Sequence, residues 1–240
     1  MKRTIQGILF DSGRVLNGPS TGNWWIPPRF FAIVNKKRYR SLDKALIARA
    51  FQEASAYLSK QCRIRDMEEE FDLFLEFYWI FSQALPELEL SEESIWLLAT
   101  DMVYNGKKYR FFDDALELIP SLSRRYRLAV VSDAWPSLDH VFREAGLRQY
   151  FSSFVLSSEI GVTKPDGLMF SRALEALALQ PDQAVLVDDN PANCEGARKM
   201  GIPSILLCRD WRLYWYHTFK TRDYPVVRNL QGVMRCIQAF

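Results

Sequence analysis

Ile8-Leu9-Phe10-Asp11-Ser12-Gly13-Arg14 is the stretch that decides the fold: an apolar run drives straight into a carboxylate, and the backbone turns immediately afterwards. A carboxylate at the carboxyl end of a buried strand is costly to desolvate unless it holds a cation, pairs with one, or does chemistry. Three further islands share this shape. Leu128-Ala129-Val130-Val131 precedes Ser132-Asp133, Gly161-Val162-Thr163 precedes Lys164-Pro165, and Ala184-Val185-Leu186-Val187 precedes Asp188-Asp189.

From Lys108 onward, short apolar runs alternate with amphipathic stretches, the rhythm of strand-helix units that build a parallel sheet. Strands are expected at about 5–10, 127–131, 153–156, 184–188 and 204–208, with a weak one near 225–227. Leu138, Val141, Phe142 and Leu147 carry helical spacing, as do Leu168, Phe170, Leu174 and Leu177, and these read as crossover helices. Residues 17–107 break the rhythm. Helix-period patterns run from Leu42 to Leu58, Met67 to Leu85 and Ser91 to Tyr104, the last opening on Ser91 as N-cap with two glutamates behind it, and no strand is convincing there. The expected organisation is an α/β, Rossmann-like parallel-sheet core from 1–16 and 108–240, interrupted by an all-helical insertion at 17–107. The segment Asn17 to Pro28 reads as a loop with Trp24 and Trp25 at its tip.

The chain has 240 residues, 48% of them hydrophobic, enough for a sizeable core. Lys and Arg number 31 against 29 Asp and Glu, and a net charge of +2 gives no nucleic-acid footprint. Cys62, Cys194, Cys208 and Cys236 form no CxxC pair or zinc-spaced set, which fits a reducing, cytoplasmic setting. The first apolar run is too short for a signal-peptide core, and no membrane span is expected, since Asp72 and Glu76 interrupt the nearest candidate, Phe71 to Leu85.

In an open parallel sheet, ligands sit outside the carboxyl ends of the strands. Asp11, Ser132, Lys164, Asp188 and Asp189 therefore converge on one crevice. Three carboxylates repel unless a cation joins them, and an all-oxygen set suits Mg²⁺, which keeps several waters and shares them with a phosphate. That points to a phosphoryl site.

At this point the chain resembles the haloacid dehalogenase superfamily of hydrolases, whose four motifs run in this order. The first, an Asp-x-Asp in the family, stands here as Asp11-Ser12-Gly13; the second is Ser132, the third Lys164, and the fourth Asp188-Asp189, followed by Asn193. The helical insertion resembles that family's helical cap. The resemblance implies an Asp11 nucleophile that forms an aspartyl-phosphate, Mg²⁺ held by Asp11, the Gly13 carbonyl, Asp188 and Asp189, and a small phosphorylated metabolite as substrate. Ser132, Lys164 and the backbone N–H groups of Ser12 and Gly13 are implied to grip the transferring oxygens, with Asp133 beside them. Two departures stand out. Gly13 replaces the family's acid-base aspartate, and Asp133 stands where Asn is common. Two alternatives remain open: a metal-independent dehalogenase in which Asp11 attacks carbon, and a non-catalytic module that binds a phosphorylated ligand or a protein.

Other residues read two ways. Arg14 fits a surface position as well as one reaching into the crevice. Trp24, Trp25, Phe30 and Phe31 suit an apolar wall or packing between helices, and the aromatic run Trp211 to Tyr216 suits a sheet-edge cover or an interface. His140 and His217 have no partner in sequence that marks them as catalytic.

Overall fold

The computed structural model describes residues 4–60 and 63–239, so Cys62 lies outside the described residues. Among the described residues, eight strands form two sheets: β1 (Gly7–Phe10), β2 (Asn17–Pro19), β3 (Tyr109–Phe111), β4 (Arg127–Ser132), β5 (Ser153–Leu156), β6 (Ala184–Asp188), β7 (Ser204–Leu207) and β8 (Val226–Val227). Six of them make one sheet in the order β5-β4-β1-β6-β7-β8, every pairing parallel. All six fall where apolar runs are expected. The architecture is α/β and Rossmann-like, with helices such as Gly167–Leu177 and Pro191–Lys199 in the crossovers.

β1 is central and buried at every position, as a strand covered on both faces must be. Gly7 permits close packing, since a Cβ there would stand 2.4 Å from Leu179 Cδ1. Leu9, Ala129, Val131 and Leu186 of the sheet pack with Met169, Phe170, Ala173 and Ala197 of the helices in one apolar cluster. Cys194, Cys208 and Cys236 are free thiols. The aromatic run forms a helix, Trp211–Lys220, with no buried residue, and Trp211, Leu213, Trp215, Tyr216 and Phe219 lie on the surface.

The chain divides into two compact units, the sheet unit and a helical one made of Pro19–Arg110 and Trp135–Glu144. The helical unit is built on three helices, Lys44–Leu58, Met67–Ala84 and Glu92–Tyr104, each within two residues of its expected bounds. Ser91 caps the third by accepting a hydrogen bond from the Ser94 N–H at 3.2 Å. Phe30, Phe51, Phe74, Phe77, Tyr78 and Phe81 fill the core of this unit. Trp25 lies 5.2 Å from Phe77 and Phe30 5.4 Å from Tyr39, ring to ring, so these aromatics pack between helices.

Two features differ from the sequence reading. Asn17–Pro19 and Tyr109–Phe111 pair as a two-stranded sheet inside segments rich in Gly, Pro and Lys, where no apolar alternation marks a strand. The helix Ser137–Glu144, expected in the sheet core, joins the helical unit. Periodicity reveals an apolar face without saying which core it meets. The reason lies at its start, where Trp135 stacks edge-on against Phe74 at 5.9 Å and the Ser137 N–H donates to Glu70 Oε2 at 2.7 Å. Lys108 completes the cluster, its Nζ 3.6 Å from Glu70 Oε1 and donating to Ser137 Oγ. All three side chains are buried. Burial raises the Glu70 carboxyl and lowers the Lys108 ammonium, and each group's charge opposes the other's shift.

Among the described residues, no helix is long and apolar enough to cross a membrane.

Candidate functional site

Register brings the site residues to one end of the sheet. Phe10 pairs with Val130 of β4 and with Val187 of β6, so Asp11 falls in the same row as Val131 and Asp188, one step short of Ser132. The Asp11 N–H donates to the Val187 carbonyl at 2.9 Å, which extends the ladder one residue past the strand. Lys164 arrives from the loop between the helices Ser157–Ile160 and Gly167–Leu177. That loop is seated closely: a Cβ on Gly196, in the helix Pro191–Lys199, would lie 2.6 Å from Pro165 Cβ and 3.0 Å from the Pro165 carbonyl oxygen. Only glycine permits that approach.

The side chains form one network. Lys164 Nζ donates to Asp11 Oδ1 and to Asp188 Oδ2, both at 2.7 Å, and Ser132 Oγ donates to Asp11 Oδ1 at 3.0 Å. Asp188 is fully buried and accepts from Asn193 Nδ2 at 3.0 and 3.2 Å and from the Asn190 N–H at 2.9 Å. Asp133 meets the backbone of Lys164: its Oδ1 accepts from the Lys164 N–H at 2.9 Å and so holds the loop that carries the lysine. An acid there has a positioning task that the sequence alone does not reveal.

Burial raises the Asp11 carboxyl from 3.8 to about 7, against the pull of Lys164 and with the help of Asp188. One ammonium is shared between two carboxylates and neutralises neither in full. Lys164 is held well above its usual value: burial lowers it, but the two carboxylates together raise it by more. Asp189, at the edge, is raised by burial and by Asp188 and lowered by Arg14.

Ligand atoms of Asp11, Asp188 and Asp189 lie within 4.8 Å of one another. Opposite oxygen ligands of Mg²⁺ stand about 4 Å apart, so this set closes on such an ion with small side-chain movements. With the carboxylates ionised, three negative charges and Lys164 leave a formal −2, which a divalent cation balances. The donor set fits the group.

The turn after Asp11 is built from its own backbone, with the Leu16 and Asn17 N–H groups donating to the Ser12 carbonyl at 2.8 and 3.1 Å and the Arg14 N–H donating to the Asn17 carbonyl at 2.6 Å. Gly13 bridges to Asn17. Asn17 Nδ2 donates to Ser12 Oγ at 2.8 Å, so Asn17, read from sequence as the start of a loop, braces the segment that carries Gly13. The left-handed residue of the turn is Arg14, with φ 58°. A side chain in that region costs about 1 kcal/mol, and glycine would avoid it. Arg14 NH1 lies 3.6 Å from Asp189 Oδ2.

Comparison with known proteins gives the family and the fold. The family model described as haloacid dehalogenase-like hydrolase matches residues 44–207. A phosphoserine phosphatase of Thermus thermophilus is 32% identical over 139 residues, 55% of each chain. An (S)-2-haloacid dehalogenase of a Pseudomonas species is 30% identical over 105 residues, 43% of this chain and 45% of its own. The chain thus spans about half the length of the curated relatives it matches. Among solved structures, the HAD-hydrolase YfnB of Bacillus subtilis, crystallised with magnesium, superposes with a TM-score of 0.67 over 98% of this chain and all of its own, at 15% identity.

Proposed function

The chain belongs to the haloacid dehalogenase-like hydrolase family, and from that premise we propose that it is a Mg²⁺-dependent phosphatase of a small phosphorylated metabolite, working through an aspartyl-phosphate on Asp11. The observation that carries this reading is the cluster of Asp11, Asp188 and Asp189. Attack on carbon needs one carboxylate, and hydrolysis of the resulting ester at most one more as base for water, whereas three converging carboxylates match a divalent cation.

Asp11 Oδ1 accepts from both Lys164 and Ser132, while no hydrogen bond to Oδ2 is found among the described residues. Oδ2 keeps its lone pairs and is the oxygen to attack phosphorus. Lys164 and Ser132 hold the carboxylate in one rotamer and transfer their donors to the equatorial phosphoryl oxygens as charge builds there. The Ser12 and Gly13 N–H groups cover the same oxygens from the turn. Mg²⁺, held by Asp11, the Gly13 carbonyl, Asp188 and Asp189, would supply charge neutralisation. Asn193 and Asn190 fix Asp188, and Asp133 fixes Lys164, so the site is organised before substrate arrives.

Hydrolysis of p-nitrophenyl phosphate with and without Mg²⁺ tests the proposal, since its leaving group needs no proton. The same preparation is offered 2-chloropropionate. Mg²⁺-dependent release of nitrophenolate supports the phosphatase. Halide release without metal would replace it with the dehalogenase reading that the Pseudomonas relative keeps open, and neither reaction would leave a binding module.

A further inference from the structure

Exposure rises steadily across the site. The Lys164 and Asp188 side chains are 1% and 0% exposed and that of Asp11 10%, whereas Asp189 reaches 24% and Arg14 71%. In-line displacement places the leaving group opposite the nucleophile. With Asp11 at the buried end, the alcohol half of the substrate must project toward solvent, past Asp189 and Arg14. The phosphoryl oxygens already have Lys164, Ser132 and the turn N–H groups, so Arg14 is surplus to them.

Arg14 is nonetheless aimed at the site. The turn holds it in a left-handed conformation better suited to glycine, and its guanidinium meets Asp189 across a loose 3.6 Å contact. Asp189 is the only carboxylate paired with it among the described residues. A cation bound by Asp189 would draw that carboxylate's charge away and leave the guanidinium, with its forked donors, at the mouth.

We propose that Arg14 binds a second anionic group of the substrate, a carboxylate or a further phosphate on the leaving half, and so selects phosphate esters that carry one. This rests on the phosphatase reading above. A planar guanidinium matches either anion in two-point contact.

The test compares ligands that differ only in that group. For turnover, the ratio of kcat/KM for 3-phosphoglycerate over glycerol 3-phosphate is measured in the wild type, Arg14→Gly and Arg14→Lys. Glycine accepts the left-handed turn, so loss of fold does not confound the result, and circular dichroism checks it. The ratio should exceed one in the wild type, fall about tenfold to a hundredfold in Arg14→Gly, and fall less in Arg14→Lys. For binding, calorimetry compares phosphonoacetate with hydroxyethylphosphonate in the same proteins, and the carboxylate preference should vanish with Arg14. A ratio that does not move, or a parallel loss on both substrates, overturns the proposal. If no ester is hydrolysed but the phosphonate preference still depends on Arg14, the subsite stands and the phosphatase reading falls.

Discussion

The Lys164 ammonium sits 2.7 Å from both Asp11 Oδ1 and Asp188 Oδ2, one cation dividing itself between two buried carboxylates from adjacent parallel strands. This ties the proposed nucleophile Asp11 to Asp188, one of the proposed metal ligands. Asp11→Asn keeps the volume and the contact with Ser132 but removes the nucleophilic charge. It should lower kcat on p-nitrophenyl phosphate by at least about a thousandfold with the circular dichroism spectrum unchanged. Near wild-type turnover by the purified variant would remove Asp11 from the chemistry.

The proposed Mg²⁺ site makes a thermodynamic prediction of its own. Burial in the fold pushes the Asp11 carboxyl up from its ordinary 3.8 to about 7. The folded state therefore binds the extra proton between those values, and this group's contribution to stability falls as pH rises from about 4 to 7. A divalent cation binds only the ionised form and reverses that loss. Saturating Mg²⁺ should raise Tm by about 5–10 °C at pH 8 and by much less at pH 5.5. In Asp189→Asn the Mg²⁺ concentration for half the shift should rise at least about tenfold. Superimposable titrations would take Asp189 out of the site.

Gly196 sets how closely the Lys164 loop is seated. In Gly196→Ala the new methyl meets Pro165 at 2.6 Å, and both neighbours are backbone-fixed, so the Lys164 loop has to shift. A displacement near 1 Å should cost up to about a hundredfold in kcat/KM, with about 1–3 kcal/mol of stability lost to overpacking. Unchanged kinetics in a folded variant would show that the loop has slack.

In the helical unit, Lys108→Met strands the Glu70 carboxylate, which keeps Ser137 as donor but loses its counter-charge. Urea denaturation should show a loss of about 3–5 kcal/mol, and the further change Glu70→Gln should recover part of it. A single substitution costing under about 1 kcal/mol would mean that Glu70 is protonated in the folded protein.

These particulars show where the sequence is legible. The strands β1, β4 and β6 are short apolar runs that close on Asp11, Ser132 and Asp188, and parallel register then brings these three residues to one end, so the sheet and this convergence follow from local pattern. Contacts between groups far apart in sequence carry no such signal. Glu70 and Ser137 stand 67 residues apart, and neither has a neighbour that announces the other. The hydrogen bond from the Lys164 N–H to Asp133, 31 residues away, has no signal in the sequence around Asp133. Asn17 and Arg14 are hidden for another reason: their roles come from a turn whose hydrogen bonds are nearly all backbone, which residue identity records only weakly.

Gly13 yields the sharpest kinetic expectation. It holds its place in the turn through backbone and has no carboxylic acid to protonate the departing oxygen. Charge must then build on that oxygen as its bond to phosphorus breaks, and general acid help worth roughly 10²- to 10⁴-fold is missing. The rate should therefore depend steeply on leaving-group acidity, with aryl, acyl and anomeric sugar phosphates hydrolysed faster than primary alkyl phosphates. Gly13→Asp places an acid beside the oxygen and should narrow the gap by raising kcat/KM on the alkyl esters selectively. A series of phosphate esters graded by leaving-group pKa, measured in both proteins, gives the two slopes directly. A flat dependence in the wild type would mean that another group already supplies the proton, and the glycine would lose its place in the explanation.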